Sequence, residues 1–380
     1  RADISSQFDH ALVSDISRFY GTLYTHAIPW ALHDKAWCKS NLNTSAYKNS
    51  LGAKLDRAIR KGQDNQTLGI PVGPDTSRII SEIIGVSIDQ IVQKRIALSR
   101  DNAFRLVDDW FIGFDNAGEA EDAIATLAIG CREYELELNS EKTHTIHAAP
   151  SVENLWPTEL REYRFKSGIN GQANSLEHYF TKAFLYSKEF PNQSVLDYAI
   201  KRSRTVKVLE DNWPRYEMYL LKAARTNPTV IPSVVQVLAS YNRDGYPIGT
   251  GRILKLVQDL INKNAPLAHH AEVAWALFLA KALNITISKS AVNLVSEFES
   301  AVCALLALDL EEHGLIQGKL DKSLWTRSMT GGGLRSSMWL LAYEADLKGW
   351  ITTKTTGFVE ADDYFAVLKK KKISFYDTSK

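Results

Sequence analysis

The residues best equipped for chemistry lie in Phe104 to Phe114, Phe-Arg-Leu-Val-Asp-Asp-Trp-Phe-Ile-Gly-Phe, where Asp108 and Asp109 sit inside an apolar, aromatic and β-branched run. Such a run predicts a buried β-hairpin with the aspartates at or near its turn. An ionised carboxylate buried without a partner costs several kcal/mol, so this setting demands a compensating charge. A divalent cation is the usual one, and hard carboxylate oxygens suit Mg²⁺. The chain carries the same dipeptide a second time, which makes a control. Asp362-Asp363 stands in Val-Glu-Ala-Asp-Asp-Tyr-Phe-Ala-Val-Leu, which reads as a helix N-terminus where Asp caps free N–H groups.

The surrounding elements decide what else can reach the hairpin. His10 to Tyr20 begins as a short apolar strand and delivers Asp15 at its end. Asp34 to Gly52 is polar and reads as a loop, followed by a short basic helix around Lys54–Lys61. Gly62, Gly69, Pro71, Gly73 and Pro74 make the next stretch irregular. Asp75 or Thr76 can then cap a helix over Ser77–Val92, where Ile79, Ile80, Ile83, Ile84, Ile88 and Ile91 fall at helical spacing. After the hairpin, Glu119–Tyr134 reads as an amphipathic helix with Ile124, Leu127, Ala128 and Cys131 on one face. Leu136–Ala149 then turns into a last strand. Strand, helix, strand, strand, helix, strand is the α/β split βαβ plan of ferredoxin-like domains. In that plan the end of the first strand lies beside the tip of the central hairpin, so Asp15 and Asp108 can share one metal site.

Beyond about Lys166 the texture becomes helical, which divides the chain into an α/β domain over 1–165 and an all-α domain over 166–380. Helices are expected near Leu176–Phe190, Val195–Val208, Arg215–Ala224, Ile231–Ala239, Arg252–Asn262, Ala271–Leu283, Ala291–Leu308, Leu334–Leu347 and Ala361–Leu368. Their irregular spacing gives only a weak suggestion of helical, HEAT-like repeats. The Trp and Tyr residues of this half read as core. His269-His270 with Glu272, and His144 with His147, have loose metal-like spacing but lack a further ligand and read as structural.

With 380 residues and 45% apolar content, the chain can bury one large core or two moderate ones. No window is apolar enough for a membrane span, and the start, Arg-Ala-Asp-Ile-Ser-Ser, has no signal-peptide pattern. It also lacks an initiator Met, so further residues are expected upstream of Arg1. Cys38, Cys131 and Cys303 are few and far apart, which excludes a disulfide framework and points to a reducing, cytosolic setting. A net charge of +1 excludes a general nucleic-acid binder. The basic runs at Lys54–Lys61 and Lys369–Lys372 read as solvated faces.

Four motifs, in order, resemble those of a reverse-transcriptase palm, and in detail those of the bacterial abortive-infection (Abi) reverse transcriptases. Asp15-Ile-Ser-Arg-Phe-Tyr20 is similar to the first catalytic motif. Gly69-Ile-Pro-Val-Gly-Pro-Asp-Thr-Ser77 resembles the nucleotide-contacting loop, with Gly62–Thr67 before it. Leu106-Val-Asp-Asp109 matches the metal-binding hairpin, and Leu138-Asn-Ser-Glu-Lys-Thr143 the lysine motif. The helical half resembles the same group's C-terminal domain at His270–Trp275, Trp339–Tyr343 and Phe375–Asp377. Three departures stand out. Leu106 replaces the usual Tyr or Phe, Val72 replaces the usual Gln, and the triphosphate-clamping fingers are expected in residues upstream of Arg1.

The resemblance implies a bacterial, cytoplasmic DNA polymerase acting on dNTPs with two Mg²⁺ ions in defence against phage. Asp15 and Asp108 would bridge the ions, with Asp109 and the Ile16 carbonyl completing the shell. Lys142 would act on the departing pyrophosphate, Tyr20 would select deoxyribose, and Val72, Gly73 and Ser77 would line the nucleotide site. Synthesis would be untemplated and primed by a tyrosine, leaving DNA attached to it, in a homo-oligomer. The alternatives are RNA-templated reverse transcription of retron or intron type, and an idle palm serving as a nucleic-acid-binding scaffold.

Overall fold

Alternation along His10–Asp15 sends Leu12 to one face and Ala11 and Val13 to the other, and this strand becomes the centre of a sheet. In a computed structural model, which describes residues 1–148, 155–352 and 357–378, the chain forms two compact units, Arg1–Glu153 and Asn154–Lys380. The first is mixed α/β and the second is helical.

The sheet contains β1 (His10–Asp15), β2 (Ala103–Leu106), β3 (Asp109–Phe114) and β4 (His144–His147) in the order β2-β3-β1-β4, with every neighbouring pair antiparallel. β1 and β2 are therefore parallel with β3 between them, and β3 and β4 are parallel with β1 between them. One face is covered by two helices. Asp75–Gln93 buries Ile80, Ile84, Ile88 and Val92, and Ala117–Glu133 buries Ala120, Ala123, Leu127 and Cys131, all against Leu12, Trp110, Ile112 and Phe114. Ile84 and Ile88 have no exposed surface, so truncating either to Ala costs about 2–5 kcal/mol. The other face carries a small cluster of Ile4, Ala11, Phe111 and Ala148.

The segment expected to be a polar loop, Asp34 to Gly52, is helical instead, in Lys35–Asn41, Ser45–Asn49 and the start of Leu51–Lys61. Its polar residues are caps. Asp34 accepts from the Trp37 amide (2.9 Å), Thr44 from Tyr47 (3.2 Å) and Ser50 from Ala53 (3.3 Å). Neither Asp75 nor Thr76 caps the next helix: Pro74 occupies the N-cap and Asp75 lies in the first turn, where its charge favours the helix dipole.

In the second unit, helix Leu155–Glu162 buries Trp156 and Leu160 in the helical core, so it belongs here and not with the first unit as a boundary near residue 165 would have it. Trp213, Trp325, Tyr179, Tyr216 and Tyr343 are fully buried in the same core. The expected helix Ala291–Leu308 is two, Lys289–Ser296 and Ala301–Glu312, because Ser300 caps the second through the Cys303 amide (3.4 Å). Asp362 accepts from the Tyr364 (2.9 Å) and Phe365 (3.0 Å) amides ahead of helix Phe365–Lys370. Of the control dipeptide, Asp362 thus satisfies amides at the start of a helix. Cys38, Cys131 and Cys303 are buried free thiols. Among the described residues, no helix is long and apolar enough to cross a membrane.

Candidate active site

Asp15 ends β1 and Asp109 begins β3, and the register pairs them directly across the ladder. The Ile16 amide donates to the Asp108 carbonyl (3.3 Å), which makes Asp15–Asp109 a non-hydrogen-bonded pair, the position where opposing side chains come closest. Like charges placed so are destabilising, and both lie on the sheet face shared with Val13 and Phe111, away from the two long helices. Ile16 itself has a buried side chain; because amide and carbonyl of an extended residue point the same way, its carbonyl faces the Asp108 side.

Asp108 follows Val107 in the two-residue turn joining β2 to β3. Val107 has φ 59°, while Asp108 is not in the left-handed region. That sign pattern is a type II′ turn, whose first position normally takes Gly. A β-branched residue there is strained by about 1–3 kcal/mol, a cost met elsewhere in the structure.

A third segment closes the site. Ser17 donates to the Glu137 carbonyl (2.9 Å) and Asn139 to the Asp15 carbonyl (2.8 Å), aligning Leu138 with Ile16. The chain then turns, with the Lys142 and Thr143 amides donating to the Asn139 carbonyl (3.2 and 2.9 Å). This turn brings Lys142 Nζ to 2.6 Å from Asp15 Oδ2, with Asn139 Nδ2 at 3.5 Å from the same oxygen. Asp15, Asp108, Asp109 and Lys142 therefore converge from three separate stretches of sequence.

The charges are unbalanced. Burial pushes the Asp108 carboxyl up to about 6, with Asp15 and Asp109 adding to the rise. Burial and Asp15 also raise Asp109, opposed by Lys142 and Arg1. The Lys142 ammonium is raised chiefly by its hydrogen bond to Asp15. Among the described residues, no group of three or more His, Cys, Asp or Glu side chains is placed to hold a metal ion, and Asp15 is engaged with Lys142. The donor chemistry nonetheless suits a divalent cation: hard oxygens, mutually repelling and half-desolvated, with one exposed ammonium beside them. His144 and His147 do not join it; His147 lies against His10 (4.6 Å between rings). His269 is bonded to Asn264 (3.0 Å), and the His270 ring lies 4.5 Å from that of Phe298.

The residues expected at the nucleotide are tied to this site through the segment following Asp15. The Tyr20 carbonyl accepts from the Ile70 amide (2.8 Å), the Leu23 carbonyl from Gly69 (2.9 Å), and the Tyr20 hydroxyl meets Ser81 Oγ at 3.2 Å. Val72 is 79% exposed at the tip of the loop. Gly73 has φ 111°, which excludes most side chains, and open space where a Cβ would stand. Ser77 is buried in the helix that follows and lines an apolar cavity of about 400 Å³ with Ile59, Ile70, Pro71 and Ile80, so it supports the loop. Asn139, a turn signal beside Lys142 in the sequence, also reaches Asp15, and the unusual conformation of Val107 had no sequence signal. No family model matches the chain, and no curated protein sequence matches it.

Proposed function

We propose that the first unit is a divalent-cation-dependent nucleotidyltransferase, a DNA polymerase of reverse-transcriptase descent, and that the carboxylate cluster is its catalytic centre. The observation that carries this reading is the cross-strand Asp15–Asp109 pair with Asp108 at the adjoining turn and Lys142 on Asp15. The sheet order and two split βαβ units agree with a ferredoxin-like palm.

Asp15 and Asp108 would hold Mg²⁺, with Asp109 and the Ile16 carbonyl beside them. Bound Mg²⁺ lowers the pKa of an attacking hydroxyl and neutralises charge on the transferring phosphate. The hydroxyl oxygen gives up its proton to water and bonds to the α-phosphorus as the bond to the pyrophosphate oxygen breaks. Lys142, kept protonated by its bond to Asp15, would give its proton to the departing pyrophosphate when Asp15 is engaged with Mg²⁺ instead. Gly73 allows close backbone approach to the nucleotide, and Tyr20 stands against the sugar.

The resemblance to abortive-infection enzymes extends this to untemplated, tyrosine-primed synthesis by a homo-oligomer in phage defence, with a HEAT-like second unit. Val72, exposed and without an amide where templated enzymes carry Gln, favours that over RNA-templated synthesis. The test is incubation of the full-length protein with labelled dNTPs and Mg²⁺, with and without RNA template. The expected product is a template-free DNA ladder that protease collapses. Product whose sequence tracks an added RNA favours the templated reading, and no incorporation under either condition refutes the polymerase.

A further inference from the structure

Resting on the reading of Asp108 as a cation-binding carboxylate, we propose that Arg105, oriented by Asp89, is a positioning residue that holds the Val107–Asp108 turn in the conformation presenting that carboxylate. Arg105 on β2 and Trp110 on β3 are register partners, so their side chains share the helix-covered face of the hairpin, behind the acidic cluster. A single carboxylate from helix Asp75–Gln93 binds both. Asp89 Oδ1 accepts from Trp110 Nε1 (2.9 Å) and Oδ2 from Arg105 Nε (2.9 Å). Arg105 Nη2 reaches Glu82 at 3.2 Å, and its Nη1 donates to the Val107 carbonyl at 2.7 Å.

A helix-to-sheet ion pair alone would be ordinary packing. The bond to Val107 is different in kind, because that carbonyl belongs to the planar peptide carrying the Asp108 amide. Fixing its direction fixes the plane from which Asp108 departs, at a turn whose first residue is held against its own preference. The Arg105 side chain is only 8% exposed, and its guanidinium occupies the space over Gly85 of helix Asp75–Gln93. A Cβ at Gly85 would stand 2.5 Å from Arg105 Cζ and 2.5 Å from Nη1, so any larger residue must push the guanidinium off its partners.

That gives a test which moves Arg105 without removing its charge. Gly85→Ala gains helix propensity but breaks the Arg105 contacts, so the thermal midpoint should fall while the protein stays folded, and melting is recorded beside the two readouts. Two readouts are taken on the full-length protein: Mn²⁺ affinity by titration calorimetry, and amide hydrogen exchange over Val107–Asp109. The expected result is 10- to 100-fold weaker Mn²⁺ binding, the range for loss of a residue that orients a ligand, together with faster exchange at the turn. Arg105→Met should do the same, and serves if Gly85→Ala does not fold. Wild-type exchange at the turn in both variants would overturn the proposal. If the wild-type protein binds Mn²⁺ no better than Asp108→Asn, the cation reading fails, while the exchange measurement still decides whether Arg105 holds the turn.

Discussion

Lys142 Nζ and Asp15 Oδ2 lie 2.6 Å apart, and Lys142 is 64% exposed while Asp15 is buried. An exposed ammonium thus caps a buried carboxylate. This pairing predicts a divergence: Lys142→Met removes the competitor for Asp15, so Mg²⁺ affinity should rise several-fold. Incorporation of dNTP should fall by about 10²- to 10⁴-fold, the usual loss with a general acid. Calorimetry and a rate assay on one variant check both signs.

Asp108 makes the opposite kind of prediction. Its carboxyl sits at about 6 in the folded protein, against ~3.9 unfolded, so the folded state favours the protonated form. Stability is complete below the unfolded value and is lost as pH rises through about 6. In EDTA at pH 7.5, Asp108→Asn should therefore be more stable than wild type by about 1 kcal/mol, discounted for partial solvation, or a few degrees in Tm. The gap should close by pH 4. Thermal melts at the two pH values decide it.

Asp56 supplies the structural contrast. Although burial alone would raise its carboxyl, hydrogen bonds from His26 and Arg60 hold it down at about 2. A lowered folded value contributes stability above the unfolded pKa that is lost as pH falls toward 2. Asp56→Asn should cost about 2–3 kcal/mol at pH 7 by leaving Arg60 without its bidentate partner, and progressively less below pH 4. Denaturant midpoints across that range test this.

Tyr20 is held by the Ser81 hydroxyl and by the bond from the Ile70 amide to its carbonyl. If it stands against the sugar, Tyr20→Val should raise ribonucleotide incorporation relative to deoxyribonucleotide at least 10-fold. Competition between labelled rNTP and dNTP reads the ratio.

Much of the first unit was legible because its signals are local. The isoleucines of Asp75–Gln93 and the alternation of His10–Asp15 are periodic, and they bring Asp15 to the hairpin as expected. Asp34, Thr44 and Ser50 misled, because residues that make loops also cap helices, and only the following turn distinguishes the two. Ser77, expected at the nucleotide, is buried at the start of the following helix beside an apolar cavity, a placement that sequence does not show. The Arg105–Val107 bond depends on tertiary geometry at Gly85 and Asp89, and no spacing rule reaches it.

The most direct measurement is Mg²⁺-dependent incorporation of labelled dNTP by the wild-type protein beside Asp15→Asn and Asp108→Asn, with folding checked by melting. The expected result is incorporation by wild type that EDTA abolishes, and a loss of about 10³-fold or more in either variant while both remain folded. Folded variants that incorporate as well as wild type would contradict it.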